Sequence, residues 1–160
     1  MRLGFGFDAH RLGEGRDLIL GGVHIPYHSG LVGHSDADVL IHAVMDAVLG
    51  ALAQGDIGAW FPPDDQTFRN ADSAVLLRRI LDSDPFADWR LENLDCTVVA
   101  EKPELAPHIP AMRRNLSDIF RAEYGRVSVK ATTTEGMGPT GRCEGVAAYA
   151  VVLLARATKT

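Results

Sequence analysis

The sequence predicts an α+β fold in which helices pack on one face of a mixed β-sheet. One observation is the order of the segments with strand and helix periodicity, β-β-α-α-β-α-β-β, which fits helices gathered on one side of a sheet. Another is a run of apolar residues at 39–53 that is too short to cross a bilayer and therefore belongs in a core. The chain has 160 residues, of which 46% are hydrophobic and 23% charged, so we expect residues 1–160 to form a single domain.

The N-terminal segments are predicted to be short strands. The first, from Arg2 to Phe7, leads directly into Asp8 and His10. Because positions two apart on a strand face the same way, these two side chains can converge on one ion. Residues 18–25 carry two apolar triplets around a Gly-Gly pair, which predicts a tight hairpin. The following segment, 27–33, is predicted to be a loop.

The most apolar segment of the chain is predicted to be the central helix. Ser35 is a suitable N-cap, Asp38 three residues later completes a weak capping box, and Gly55 is a suitable stop. Asp38, His42 and Asp46 are spaced four residues apart, so they form one polar stripe on an otherwise apolar rod. Because a buried polar stripe costs free energy unless something satisfies it, we expect a metal, or a ligand beside a metal, at this stripe.

The remaining segments are assigned from their periodicity and their breaker residues. In chain order they are a Pro- and Asp-rich loop over 56–68, a helix over 70–83, a strand over 91–100, a helix from Pro110 to about Tyr124, strands over 126–132 and 145–156, and a glycine-rich loop over 133–142.

The composition excludes several classes of protein. The net charge of −5 argues against a general nucleic-acid binder, which usually has a basic face. Cys96 and Cys143 form no Cys-x-x-Cys motif, so we expect neither a disulfide framework nor a sulfur-rich zinc site. The N-terminal sequence MRLGFGFDAH lacks a long apolar core and a cleavage site. We therefore expect no signal peptide, no membrane partner and a cytoplasmic location.

Asp8, His10 and His42 are the first candidate group. One carboxylate and two imidazoles suit zinc, and three protein ligands leave the open position that a catalytic site requires. The alternative is a strand-end carboxylate with two unrelated polar histidines. Spacing alone leaves both interpretations open.

The glycine-rich loop is the second candidate group. Its glycines formally match G-x-G-x-x-G, but the segment after the loop is a strand, so a dinucleotide site is not predicted. Threonine hydroxyls, backbone N–H groups, Lys130 and Arg142 could instead hold a phosphate, and Glu135 could hold a hard cation such as magnesium. A flexible hairpin with solvated threonines is the alternative.

The third candidate group is His34 and Ser35 together with acidic residues of the loop that follows the central helix. Asp56, Asp64 and Asp65 offer hydrogen-bond acceptors that suit sugar hydroxyls. Solvated turn residues are an equally open interpretation.

Six motifs together resemble the 2-C-methyl-D-erythritol 2,4-cyclodiphosphate synthase family over nearly the whole chain. They are GFGFDAH at 4–10, GGVHIPY at 21–27, HSDADVLIHAVMDAVLG at 34–50, GDIGAWFP at 55–62, PHIPAM at 107–112 and KATTTEGMGPTGRCEG at 130–145. The resemblance implies a lyase of the non-mevalonate isoprenoid pathway. Such an enzyme cyclises 4-diphosphocytidyl-2-C-methyl-D-erythritol 2-phosphate and releases cytidine monophosphate (CMP).

The resemblance also implies roles for particular residues. Zinc would be held by Asp8, His10 and His42, and magnesium or manganese by Glu135. The implied transition-state stabilisers are His34 and Thr133. The implied substrate contacts, including a cytosine pocket at 100–106 and 131, are Asp8, His10, His34, Ser35, Asp56, Ile57, Gly58, Phe61, Asp65, Ala100, Leu105, Ala106, Ala131, Thr132, Thr133, Thr134, Glu135 and Arg142.

A homotrimer with active sites between subunits is the assembly that the resemblance implies. Residues matching Phe7, Arg142 and Glu144 would line a central cavity able to hold an isoprenoid diphosphate. The chain departs from the family pattern at Glu104, Pro63 and Pro139, where lysine, an acidic residue and phenylalanine are familiar. The competing hypotheses are another zinc enzyme, such as a phosphohydrolase, and a non-catalytic trimer that binds nucleotide.

Overall fold

The computed structural model describes residues 1–157, so the last three residues of the predicted 1–160 domain lie outside the described range. The strands are β1 Arg2–Glu14, β2 Leu18–Leu20, β3 Val23–Ile25, β4 Ser29–Leu31, β5 Trp89–Val99, β6 Val127–Thr132 and β7 Gly145–Arg156. The helices are α1 Val39–Leu52, α2 Ile57–Trp60, α3 Ser73–Leu81, α4 Ile109–Phe120 and α5 Gly138–Gly141. No helix within residues 1–157 is long and apolar enough to cross a membrane.

Five strands form one mixed sheet in the order β4-β1-β7-β5-β6, while β2 and β3 form the predicted hairpin as a separate two-stranded sheet. Neighbouring strands of the large sheet are antiparallel except for β5 and β6, which are parallel. The predicted α+β class is therefore confirmed. The parallel pair brings two strands to their carboxyl ends at the same edge of the sheet.

Helix α1 packs directly on strand β1 because two glycines of the strand have no side chain in the way. A Cβ atom on Gly4 would collide with the carbonyl oxygen of Ala47, and one on Gly6 would collide with that of Ala43. Strand and helix therefore touch backbone to backbone. This contact brings His42, in the first turn of α1, over the part of the strand that follows Gly6.

Gly6→Ala is expected to lower the free energy of unfolding by about 3 kcal/mol, because the added methyl group would have to displace helix backbone rather than a flexible side chain. Gly125→Ala is the matched control, since nothing lies within 4 Å of its added Cβ, and it should change stability by less than about 0.5 kcal/mol. Urea unfolding at one fixed subunit concentration measures both variants. Equal midpoints would show that α1 can move away from the strand without cost.

The opposite face of the sheet carries large apolar side chains that no helix covers. Leu3 is 68% exposed and Phe5 is 62% exposed, and Phe7, Tyr149 and Val151 extend the same surface. We call these five residues the open sheet face. The helices thus lie on one side of the sheet, as predicted.

Strand β1 is longer than predicted, and a fourth strand was not expected. The predicted end at Phe7 was wrong, because β1 pairs with β7 as far as Arg11 and then with β4 over residues 12–14. Residues 29–31 are therefore a strand within the segment that was predicted to be a loop. Because polar residues follow Phe7, the apolar periodicity does not indicate this extension of β1.

The predicted caps of the central helix were also wrong. Asp38, not Ser35, is the N-cap, and its Oδ1 accepts hydrogen bonds from the N–H groups of Leu40 and Ile41 at 3.1 and 3.0 Å. The helix ends at Leu52 instead of reaching Gly55, because the next residue adopts a left-handed conformation with φ of 56°.

Two further helices are shorter than their periodicity suggests, and two predicted loops contain helical turns. Helix α3 begins only at Ser73, where Asp72 caps it, and α4 ends at Phe120 because Arg121 is left-handed. Residues 56–68 contain α2 and a 3-10 turn, and residues 133–142 contain α5. None of these differences changes the order of the layers.

Candidate active site

Asp8, His10 and His42 converge, as the strand alternation and the polar stripe predict. The Nε2 atom of His10 lies 2.8 Å from Asp8 Oδ2 and 3.1 Å from His42 Nδ1, and His42 Nδ1 lies 3.0 Å from Asp8 Oδ2. Among residues 1–157 this is the one group of three or more side chains with metal-ligand atoms close together. The alternative interpretation, a strand-end carboxylate with two unrelated polar histidines, is thereby removed.

The hydrogen bond of His10 with Val32 leaves its Nε2 atom facing Asp8. Its Nδ1 atom lies 2.9 Å from the carbonyl oxygen of Val32, and a carbonyl can only accept, so Nδ1 carries a proton. Burial by itself raises the pKa of Asp8, but hydrogen bonds with His10 and His42 outweigh burial and hold this pKa well below its usual range. The group therefore attracts a cation, either a proton or a metal ion.

Zinc fits the arrangement of the three ligand atoms. Oxygen and nitrogen ligands lie about 2.0–2.2 Å from zinc, which places tetrahedral ligands roughly 3.4 Å from one another. The observed separations of 2.8 to 3.1 Å require each pair to open by only a few tenths of an ångström. Three ligands leave a fourth position free for a substrate oxygen.

The other two members of the polar stripe have structural tasks. Asp38 is fully buried, and besides capping α1 it accepts hydrogen bonds from the N–H groups of Gly21 and Gly22 in the β2–β3 hairpin. Asp46 accepts a hydrogen bond of 2.8 Å from the N–H of Ile57 and so fixes the start of α2. Of the three stripe residues, only His42 belongs to the group that could hold a metal ion.

A cavity of about 570 Å³ opens beside the three ligands, a size typical of small-molecule sites. Predicted site residues that line it are Asp8, His10, His34, Ser35, His42, Ile57, Gly58, Phe61 and Asp65. Pro63, one of the departures from the family pattern, also lines the cavity. We call Asp8, His10 and His42 the metal corner. It forms one concave site with several of the predicted substrate-contacting residues.

Sequence reasoning missed two cations of this cavity. Arg16 is half-buried and donates a hydrogen bond of 3.0 Å to the carbonyl oxygen of Ser35, and Arg69 lines the same cavity from the segment before α3. Each guanidinium offers five N–H donors and no acceptor. Neither shows a spacing that could have marked it, because each reaches the cavity from a loop.

The acidic residues of the 56–68 loop are used differently from one another. Asp56 does not line the cavity in this chain, and its carboxylate caps α2 by accepting from the N–H of Ala59. Asp65 lines the cavity, and hydrogen bonds from the N–H and hydroxyl of Thr67 lower its pKa. The sugar-binding role of these carboxylates stays a prediction.

A second group forms at the carboxyl ends of the parallel strands β5 and β6. The N–H of Ala100 donates to the carbonyl oxygen of Thr132 at 3.0 Å, and the N–H of Gly136 lies 3.4 Å from Glu101 Oε2. The predicted residues carried by these two neighbouring segments are Ala100, Leu105, Ala106, Ala131, Thr132, Thr133, Thr134 and Glu135. We call the segments 100–106 and 131–135 the phosphate corner.

The backbone of Glu135 adopts a left-handed conformation, which is unusual for a residue other than glycine. Its φ is 53°, and its N–H lies 3.3 Å from the hydroxyl oxygen of Thr133. The carboxylate is exposed and lies 3.4 Å from the same hydroxyl. Non-glycine residues in this region cluster at functional sites.

The two corners stand apart within one chain. Asp8 pairs with Ala148, Ala148 with Val98 and Val98 with Ala131, so the corners share one row across four strands. Three strand spacings amount to about 14 Å. The phosphate corner accordingly contributes nothing to the lining of the cavity, and Arg142, which pairs with Glu144, also lies outside it.

Comparisons with known proteins agree on one family. The model of the YgbB family matches residues 1–155. A relative from Geobacillus sp. (strain WCH70), named 2-C-methyl-D-erythritol 2,4-cyclodiphosphate synthase, is 56% identical over 153 residues, which cover 96% of this chain and 97% of the relative.

Solved structures share the fold. The CDP-bound form of 2C-methyl-D-erythritol-2,4-cyclodiphosphate synthase matches with a TM-score of 0.84 and 38% identity, covering 96% of this chain and 100% of that one. The bifunctional IspDF from Campylobacter jejuni matches with a TM-score of 0.91 and 43% identity over 96% of this chain. This chain spans 42% of the length of that bifunctional protein.

Proposed function

This chain belongs to the YgbB family, and we propose that it converts 4-diphosphocytidyl-2-C-methyl-D-erythritol 2-phosphate to 2-C-methyl-D-erythritol 2,4-cyclodiphosphate with release of CMP. The observation that carries the proposal is the Asp8–His10–His42 group at the wall of a small-molecule cavity, in a chain that matches named synthases over nearly its full length. The enzyme is then a lyase of the non-mevalonate route to isoprenoid precursors.

The reaction needs no nucleophile from the protein. An oxygen of the substrate's 2-phosphate forms a bond to the β-phosphorus, the bond from that phosphorus to the bridging oxygen breaks, and the electron pair leaves with CMP. The protein's tasks are to fold the substrate so that attacking and leaving oxygens are in line, and to offset the crowded negative charge. Arg16 and Arg69 in the cavity suit the second task.

Asp8, His10 and His42 would hold the zinc, and Glu135 a magnesium or manganese ion. When bound, these cations withdraw electron density from the diphosphate and stabilise the charge on the departing phosphate. His34 is exposed at the cavity wall, where its imidazole can donate a hydrogen bond to a phosphoryl oxygen. We assign the same stabilising role to the hydroxyl of Thr133 in the phosphate corner.

A homotrimer explains how the two corners act together. A substrate that spans zinc and cytosine sites must reach both corners, yet they lie about 14 Å apart in one chain and only one of them borders the cavity. The open sheet face offers an apolar surface for assembly, and monomeric proteins rarely leave such surfaces uncovered. We propose that the phosphate corner of one subunit completes the cavity of its neighbour in a closed ring.

Phosphorus NMR with the cytidylated substrate tests the function. The expected products are the cyclic diphosphate and CMP in equal amounts. Release of inorganic phosphate would instead identify a phosphohydrolase. Nucleotide binding without any turnover, with zinc present, would identify a non-catalytic binding protein.

Glu135→Gln is expected to retain zinc but to require much more added magnesium or manganese for activity, because a neutral amide is a weaker ligand for a hard cation. The measurement is activity against divalent-metal concentration, alongside the zinc content. Glu123→Gln removes an exposed carboxylate away from both corners and should leave the metal dependence unchanged. An unaltered dependence in the Glu135 variant would place the second metal elsewhere.

The central cavity of the proposed trimer is expected to bind isoprenoid diphosphates weakly. Phe7 and Arg142 would supply an apolar ring and a cation, but Glu144 already pairs with Arg142 at 2.6 Å and Pro139 stands where an aromatic ring is familiar. Calorimetry with farnesyl diphosphate should show weak binding that Arg142→Ala abolishes. Arg121→Ala, which removes the exposed arginine that follows α4, is the control. Tight binding that survives Arg142→Ala would contradict this location.

A further inference from the structure

The nitrogen of His42 that faces away from the metal corner contacts two serine hydroxyls. Its Nε2 atom lies 3.0 Å from Ser73 Oγ and 3.1 Å from Ser35 Oγ. All three side chains are buried, with Ser73 at 0% and His42 at 8% exposure. Since a neutral imidazole has one donor and one acceptor nitrogen, these contacts decide which nitrogen keeps its lone pair.

Ser73 has already committed its only proton. Its hydroxyl donates to Asp36 Oδ1, and its backbone N–H donates to Asp36 Oδ2 at 3.0 Å. An ionised carboxylate can only accept, so the Ser73 oxygen can only accept from His42. This requires a proton on His42 Nε2, so Nδ1, which faces Asp8 Oδ2 at 3.0 Å, is the nitrogen whose lone pair a metal ion can take.

Ser35 alone could not make this choice. Its oxygen accepts from the N–H of Ala37, and its hydroxyl proton could turn either toward His42 or away from it. If that proton pointed at His42 Nε2, the Ser73 oxygen would face a second acceptor at 3.0 Å. The hydrogen bond from Ser73 to the Asp36 carboxylate therefore favours the Nε2–H tautomer of His42 over the Nδ1–H tautomer.

Asp36 is itself held firmly. Its Oδ1 also accepts from the N–H of Asp38, and its own N–H donates to the carbonyl oxygen of Ala71. These bonds tie the loop before α1 to the loop before α3. The start of α3 thereby becomes part of the support of the metal corner.

We propose that Asp36 and Ser73 are positioning residues that hold His42 as the Nε2–H tautomer and keep its Nδ1 lone pair directed at the metal. Partners that fix the tautomer and orientation of a metal-binding histidine affect metal affinity by about 10- to 100-fold. The inference rests on the metal site proposed above, and it does not depend on which reaction the site performs.

The tautomer can be read in the zinc-loaded wild-type protein, in which zinc replaces any proton that Nδ1 shares with Asp8. Long-range ¹H–¹⁵N correlation spectra of its histidine rings at about pH 8, above the usual histidine pKa, should show His42 protonated at Nε2. A proton on Nδ1 would overturn the proposal without any variant having to fold.

Zinc affinity of the purified protein, measured by competition with a chelator, is the second test. Ser73→Ala should weaken zinc binding by about 10- to 100-fold and mix the two tautomers of His42. Ser35→Ala should weaken it much less, because Ser73 still accepts from Nε2. Ser117→Ala removes another buried serine hydroxyl, on α4, and should leave zinc affinity unchanged.

The outcomes separate the two proposals. Wild-type protein that binds no zinc would contradict the metal site itself. Wild-type protein that binds zinc, with equal affinities in the Ser73 and Ser35 variants, would show that Asp36 and Ser73 do not select the tautomer.

Discussion

His42→Ala is expected to lose most of its zinc and nearly all turnover while keeping the fold. The variant leaves two of three ligands. Loss of a cation that supplies several kcal/mol of charge stabilisation corresponds to a rate loss of roughly 10³-fold or more. The fold should persist because the apolar neighbours of His42 on α1 still pack on the sheet.

Elemental analysis, circular dichroism and the phosphorus NMR assay measure these three properties together. His24→Ala is the matched control, since this histidine is exposed on the hairpin and its one side-chain hydrogen bond or ion pair among the described residues is with Asp17. It should keep its zinc and its activity. Full zinc occupancy in His42→Ala would remove the assignment of this ligand.

Two inactive variants are expected to restore activity when they are unfolded and refolded together. His42→Ala damages the metal corner and Glu135→Ala damages the phosphate corner, and we propose that each active site takes one corner from each of two neighbours. Random mixing in equal amounts joins two intact corners at roughly a quarter of the interfaces. Activity should therefore recover toward that fraction of the wild-type value.

The control for complementation is each variant refolded alone and then mixed, which exchanges no subunits during assembly. Mass spectrometry of differently tagged chains confirms that mixed trimers formed. Mixed trimers no more active than their parents would mean that each site is built within one chain.

The sequence predicts the strand half of the metal corner from local geometry alone. Asp8 and His10 must face the same way because side chains alternate along a strand, and the structure confirms it. The approach of His42 could not be derived in the same way. It depends on Gly4 and Gly6 meeting α1, a contact between segments more than 35 residues apart.

Helix capping shows why local patterns leave some choices open. Ser35 and Asp38 are both good N-caps, and nothing in the helix itself favours one of them. Asp38 is selected because its carboxylate also satisfies the N–H groups of Gly21 and Gly22, which a sequence pattern does not bring near it. Ser35 is then free to place its hydroxyl oxygen beside His42 Nε2.

The cavity residues that the sequence did not predict also depend on contacts between segments that are distant in the chain. Arg16 reaches it from a loop with no periodicity. Asn70 reaches it from the residues before α3, which were predicted to be helical, and both line the cavity with His34. Asn70 is held there by a backbone hydrogen bond of 2.7 Å to the carbonyl oxygen of His34, with a left-handed φ of 57°.

The glycine contact between β1 and α1 also governs how the metal corner moves. No side chain lies between strand and helix at Gly4 and Gly6, so no rotamer change can alter their separation. Asp8, His10 and His42 should therefore move as one rigid body. Substitutions in the distant core can then lower stability while the distances among the three ligand atoms stay the same.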